Sequence, residues 1–163
     1  MSTAPMDKVT SWLWVGDQRA GFDWQTLDHE GITAVFNATP TTDNWPADMK
    51  ARVPYLRMNQ DDGAPIPLAK LDAYADWFLK CRAAGKRLLV HCAAGVSRAS
   101  TFAIFSLILE SGWSQVQHAT DPVQRRLEAS EAWDKYEFLV RQRREQIQPH
   151  PYLKQSVMEW LTR

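Results

Sequence analysis

Hydrophobic positions along this chain alternate between short apolar or β-branched runs and longer stretches with helical spacing. Trp12 to Val15, Ile32 to Ala38 (ITAVFNA), Val53 to Met58 and Arg87 to Val90 (RLLV) are runs of strand length. Between the first two, Asp23 caps a helix expected through Leu27, which Gly31 closes. The stretch TPTTDNWPAD reads as a surface loop, and Trp45 beside Pro46 is the tryptophan expected to be exposed. The loop NQDDGAPIP ends at Pro67, a natural first helical position. Leu68, Leu71, Ala75, Phe78 and Leu79 then recur on one helical face, with Lys70, Asp72, Asp76 and Lys80 facing away, until Gly85. From Ala99 to Leu109 apolar residues occur almost all round, which predicts a buried helix. The remainder is helical: Asp121-Pro122 makes a cap and first turn, Tyr136, Leu139, Val140 and Ile147 one stripe, and Leu153, Val157, Trp160 and Leu161 another.

Strands alternating with helices predict an α/β fold: a central, mostly parallel sheet of four to five strands, helices on both faces and a helical C-terminal third. The 163 residues are expected to form one catalytic domain, 1–163. Nineteen basic and nineteen acidic residues give zero formal charge, so no global field favours nucleic acid or an anionic membrane, and neither is expected as a partner. Any anion site must be local. Two cysteines cannot make a disulfide scaffold, and MSTAPMDKVT lacks the apolar core of a signal peptide, so a cytoplasmic location is expected. The longest apolar run, Phe102 to Leu109, is far short of the roughly 20 residues that cross a bilayer. Four histidines show no zinc-type spacing, and no metal is expected.

The chemistry concentrates in HCAAGVSR, which follows the RLLV run directly. Small Ala93, Ala94 and Gly95 let the backbone of residues 93–98, with Val96 and Ser97, curl so that its N–H groups point inward as an anion nest, backed by the positive end of the next helix. Arg98 adds a planar fork that binds two phosphate oxygens and stays charged at any physiological pH. The same field acts on Cys92 and favours its thiolate. His91 points away from its neighbour on a strand, so it is expected to support the loop rather than move protons.

HCAAGVSR matches the HCxxGxxR signature of cysteine-dependent protein phosphatases, and the chain resembles the dual-specificity branch of that superfamily. The resemblance runs from WLWVGDQRAGFDWQTLDHEGITAVFNA through the signature to QPHPYLKQSVMEWL. It implies that Cys92 attacks phosphorus to form a phosphocysteine that water then hydrolyses, with no cofactor. It also implies a general acid on the loop before the signature. DDGAP is similar to the corresponding run in phosphatases of regenerating liver, which assigns the acid to Asp62 and leaves Asp61 as the fallback acid or a loop brace. One position departs from the family, which usually has Ser or Thr after the signature arginine where this chain has Ala99. That hydroxyl eases release of phosphate from sulfur, so its absence implies slow phosphocysteine breakdown, unless Ser97 or Ser100 substitutes.

Small, uncharged Ala93, Ala94 and Val96 favour a monophosphate on a protein or peptide over a polyphosphate, and a chain of this length leaves little room for a long phosphotyrosine-recognition loop. Dual specificity on phosphotyrosine and phosphoserine/phosphothreonine is therefore expected, in a monomer whose loop also takes phosphate, sulfate or vanadate. The alternatives are a slow or inactive phosphate-binding adaptor, and a phosphatase for phospholipid or RNA 5′ ends. Cys81 is expected as a surface thiol, and Arg141, Arg143 and Arg144 as a solvated face.

Overall fold

The computed structural model describes residues 2–163. Five strands, β1 (Met6–Lys8), β2 (Leu13–Gly16), β3 (Ala34–Asn37), β4 (Tyr55–Arg57) and β5 (Leu88–His91), form one sheet in the order β1-β2-β5-β3-β4. All neighbours are parallel except β1 and β2, which pair antiparallel with Met6 opposite Gly16. Seven α-helices connect and cover them: α1 (Gln18–Phe22), α2 (Trp24–His29), α3 (Ala47–Arg52), α4 (Leu68–Ala83), α5 (Arg98–Glu110), α6 (Pro122–Arg143) and α7 (Pro151–Thr162). The α/β architecture and the helical final third agree with the expectation.

The period-2 alternation of the strands divides the core into two layers. Leu13, Val15, Ala34, Phe36, Leu88 and Val90 face α4, α5, α6 and α7, whereas Trp14, Val35 and Leu89 face Leu27, Ile32, Trp45, Met49 and Val53 of the opposite layer. In the first layer Phe36, Tyr74, Phe78, Phe102 and Phe105 form a continuous aromatic cluster, with Phe36 and Phe102 centroids 4.5 Å apart. Burying each such ring is worth about 1.5–3 kcal/mol, so this cluster fixes α4 and α5 against the sheet. Helix α5 is buried from Ala99 to Leu109, as its composition demands.

The elements that sequence periodicity misses are short. β1 has three residues, and α1, capped by the Asp17 carboxylate on the Arg19 and Ala20 amides, has five. Helix α3 begins in the last two residues of the stretch read as a polar loop, Ala47 and Asp48, and runs on to Arg52. Trp45 is also corrected: it is buried, with its indole N–H donating to the Gly21 carbonyl at 2.7 Å and its ring edge-on to Tyr55. On α4 the buried face is Leu71, Tyr74, Ala75, Phe78 and Cys81, while Leu68 and Leu79 are exposed. The aromatic cluster sets that rotation, and Cys81 is a buried thiol rather than a surface one. Burial pushes its pKa up.

Candidate active site

The C-terminal ends of parallel β2, β5 and β3 emerge along one edge of the sheet, the place where open α/β sheets bind ligands. β5 is central and ends at His91; the loop from Cys92 to Ser97 joins it to Arg98, the first residue of α5. The Gly95 amide donates to Cys92 Sγ at 3.3 Å. Several loop carbonyls are held on the outside. That of Ala93 accepts from the Gln18 amide at 3.2 Å, that of Gly95 from Arg144 Nε at 2.9 Å, that of Val96 from the Gln148 amide at 2.8 Å, and that of Ser97 from the Thr101 amide at 3.0 Å. No peptide among the described residues is cis, and in a trans peptide the N–H points opposite to the preceding C=O. Pinning these carbonyls outward therefore turns the amides of Ala94, Val96, Ser97 and Arg98 to the other side, toward the centre of the loop.

Gly95 is the position where this curl demands glycine. Its φ is +68°, and a Cβ there would come within 2.7 Å of the Gly16 backbone and of Arg144 Nη2. Arg144 is 2% exposed and bridges three places at once: the Gly95 carbonyl, the Ala4 carbonyl at 2.9 Å and the Asp7 carboxylate at 2.7 Å. This corrects its expected place on a solvated face. It is a buried tie between the cysteine loop, the C-terminal end of α6 and the N-terminal segment.

His91 and Cys92 point to opposite faces, as neighbouring strand residues must. Cys92 joins the first core layer and is 2% exposed, and Ala99 is buried in the same layer. His91 instead places Nε2 2.6 Å from the Asp43 carboxylate, with both side chains inaccessible to solvent, and Nδ1 3.4 Å from its neighbour's carbonyl. Gly21 makes room for that pair, since a Cβ there would lie 2.4 Å from His91 Nε2 and 2.5 Å from Asp43 Oδ1. Asp43 comes from the polar loop because Asn37 organises its turn. The Asn37 side chain accepts from the Thr39 amide and donates to the Thr41 carbonyl and the Tyr55 hydroxyl, and that hydroxyl accepts in turn from the Asp43 amide at 3.0 Å. Burial pushes the Tyr55 phenol up.

Arg98 Nη1 donates to the Gln60 carbonyl at 3.1 Å and lies 3.5 Å from that of Ala38, so the arginine faces the loop carrying Asp61 and Asp62. Both carboxylates are exposed. Asp62 shares a cleft of about 260 Å³ with Val96, Ser97, Gln148, Pro149, His150 and Pro151, and so borders the cysteine loop. Asp61 contributes its backbone carbonyl, which accepts from the Ala64 amide and from Gln60 Nε2. Ser100 Oγ donates to the Val96 and Ser97 carbonyls, and Ser97 Oγ accepts from the His150 amide, so both hydroxyls are engaged with backbone. Two larger clefts, about 400 and 450 Å³, flank Trp113 and His118 but contain neither a cysteine nor an anion cradle. Among the described residues no group of three or more His, Cys, Asp or Glu is placed to hold a metal ion, and no helix is long and apolar enough to cross a membrane.

Sequence reasoning missed Asp43, Arg144 and Gln60. For Asp43 and Arg144 the contacts lie 48 and 49 residues away in the chain, and no local spacing signals them.

The profile of the dual specificity phosphatase catalytic domain matches residues 13–163. Dual specificity protein phosphatase 14 of Mus musculus is 36% identical over 107 residues, covering 62% of this chain and 50% of that protein. Dual specificity protein phosphatase 22-A of Danio rerio is 30% identical over 125 residues, covering 72% of this chain and 56% of that protein. The chain thus spans about half the length of these relatives. Among solved structures, human DUSP28 superposes with a TM-score of 0.74 at 21% identity, covering 98% of this chain and 94% of that one, a likeness of fold. With the profile spanning nearly its whole length, the chain belongs to the dual specificity phosphatase catalytic-domain family.

Proposed function

We propose that this chain is a cysteine-dependent protein phosphatase that hydrolyses phosphotyrosine and phosphoserine/phosphothreonine monoesters through a phosphocysteine. The observation that carries this reading is the loop after β5, where Cys92 Sγ receives the Gly95 N–H and Arg98 opens α5 beside it. Cys92 is the nucleophile. Its sulfur forms a bond to phosphorus as the P–O bond to the leaving group breaks, and Asp62 donates its proton to the departing oxygen. The inward amides of Ala94, Val96, Ser97 and Arg98 and the Arg98 fork hold the equatorial oxygens, over which the negative charge of the transition state is spread. In the second half, Asp62 as carboxylate accepts a proton from water while oxygen attacks phosphorus and sulfur leaves, giving inorganic phosphate. His91, held by Asp43, and Asp61, through its carbonyl, support the two loops.

Ala99 places a methyl where the resemblance implies a hydroxyl, Ser100 donates its own to backbone carbonyls and Ser97 Oγ accepts from the His150 amide, which supports slow breakdown of the phosphocysteine. The uncharged side chains of Ala93, Ala94 and Val96 favour monophosphates on protein side chains. Residues 1–163 act as one catalytic domain, monomeric and cytoplasmic, without cofactor.

The test is hydrolysis of p-nitrophenyl phosphate and of a panel of phosphotyrosine, phosphoserine and phosphothreonine peptides. Vanadate-sensitive turnover is expected, abolished in Cys92→Ser and reduced about 10²–10³-fold in Asp62→Asn. Vanadate binding without turnover would support the adaptor instead, and preference for RNA 5′ ends or phospholipid over every peptide would overturn the substrate class.

A further inference from the structure

Gln60 immediately precedes the Asp61-Asp62 pair, and although it lies in a polar loop it is only 3% exposed. Its side-chain nitrogen donates to the Asp61 carbonyl and the Ala64 carbonyl, both at 3.0 Å, and lies 3.5 Å from that of Pro65. The loop is thus wound round a single amide group, two of whose acceptors flank Asp62 on either side. The backbone of the same residue faces the other way. Its N–H donates to the Ala38 carbonyl at the end of β3, and its carbonyl receives Arg98 Nη1 at 3.1 Å. At the far end of the loop, the Ile66 amide donates to Ser156 Oγ on α7 at 2.8 Å.

A guanidinium carries five N–H donors. With Nη1 on the Gln60 carbonyl, the Nε and Nη2 edge still offers a parallel fork to a phosphate. One residue therefore connects the group that binds phosphoryl oxygens to the loop that carries the acid. We propose that Gln60 is a positioning residue for protonation of the leaving group: its side chain fixes where the Asp62 carboxyl stands, and its backbone fixes that loop to Arg98. The proposal rests on the reading of Asp62 as general acid. It goes beyond that reading in assigning the placement of the acid to a buried amide.

A buried glutamine that merely stabilises the fold would affect all substrates alike. A residue that places the acid matters in proportion to how much the leaving group needs a proton. The experiment therefore compares kcat/KM for phenyl phosphate, a poor leaving group, with that for a fluorinated umbelliferyl phosphate, a good one, in wild type, Gln60→Leu, Gln60→Glu and Asp62→Asn. Both substrates are measured on one preparation, so any unfolded fraction cancels in the ratio.

Gln60→Leu removes the donors at similar volume and is expected to lose about tenfold more on phenyl phosphate than on the good leaving group. Gln60→Glu, nearly isosteric, turns a carboxylate against three carbonyl oxygens and is expected to show a larger ratio than Gln60→Leu. Asp62→Asn sets the upper limit. Equal losses on both substrates in Gln60→Leu, with Asp62→Asn still selective, would overturn the role of Gln60 and leave the acid assignment intact. Equal losses in Asp62→Asn itself would remove that assignment and this proposal with it.

Discussion

At the residue scale, the site is held by buried polar groups whose partners are distant in sequence. Arg144 shows the energetic consequence. Removing its guanidinium would leave the Gly95 and Ala4 carbonyls without that donor and Asp7 without its counter-charge. Asp7 retains some contact with water, its side chain being 19% exposed, which moderates the penalty. Arg144→Met is expected to destabilise the protein by about 2–4 kcal/mol, read as a lower urea midpoint at unchanged slope. An unchanged midpoint would contradict the bridging role. The backbone arrangement of HCAAGVSR is legible because its logic is local: an apolar strand, small residues that can curl, and an arginine at a helix start. Arg144 and Asp43 were not legible. A charged residue near the end of a helix reads as solvated, and an aspartate between Thr and Asn reads as a turn, until the tertiary fold brings Gly95 to one and His91 to the other.

At the element scale, strands and long helices follow their periodicity, and the departures come from packing. The apolar pattern of α4 admits more than one buried face, and contact of Tyr74 with Phe36 and Phe102, and of Phe78 with Tyr74 and Trp12, selects the one that takes Cys81 inside. Three-residue β1 and five-residue α1 are too short to show any period, and they exist because β2 pairs one and Asp17 caps the other.

Helix α7 is fastened to α4 at its far end. Trp160 Nε1 donates to the Asp72 carboxylate at 2.9 Å, and the Arg163 guanidinium donates to it as well. The Arg163 hydrogen bond, followed by that of Trp160, holds the Asp72 carboxyl below the usual carboxylate range. A carboxylate depressed in the folded state contributes stability above its unfolded pKa and loses it as pH falls through the folded value. Asp72→Asn is therefore expected to lower Tm at neutral pH, with the difference from wild type closing as pH falls through and below the usual carboxylate range. The carboxylate is half-exposed, so salt should also narrow the gap. A difference that stays constant across pH would show that the clamp does not act through the ionised carboxylate.

At the scale of the whole molecule, a single sheet organises the site by sending adjacent residues to opposite faces. The face holding Cys92 carries the large helices and the aromatic cluster, whereas the face holding His91 carries α1, α3 and the buried Asp43. Both layers meet at the C-terminal edge of β2, β3 and β5, where the cysteine loop, Arg98 and the Asp62 loop converge. The reaction proposed for this edge is transfer of a phosphoryl group to sulfur. The most direct test is rapid acid quench of wild-type protein with a phosphotyrosine peptide, followed by mass spectrometry of the Cys92 peptide. A burst of dephosphorylated product is expected, matched by phosphate covalently held on Cys92, with Ala99→Ser shortening the life of that adduct. Turnover with no phosphorylated Cys92 at any time, and no change in Ala99→Ser, would contradict the account.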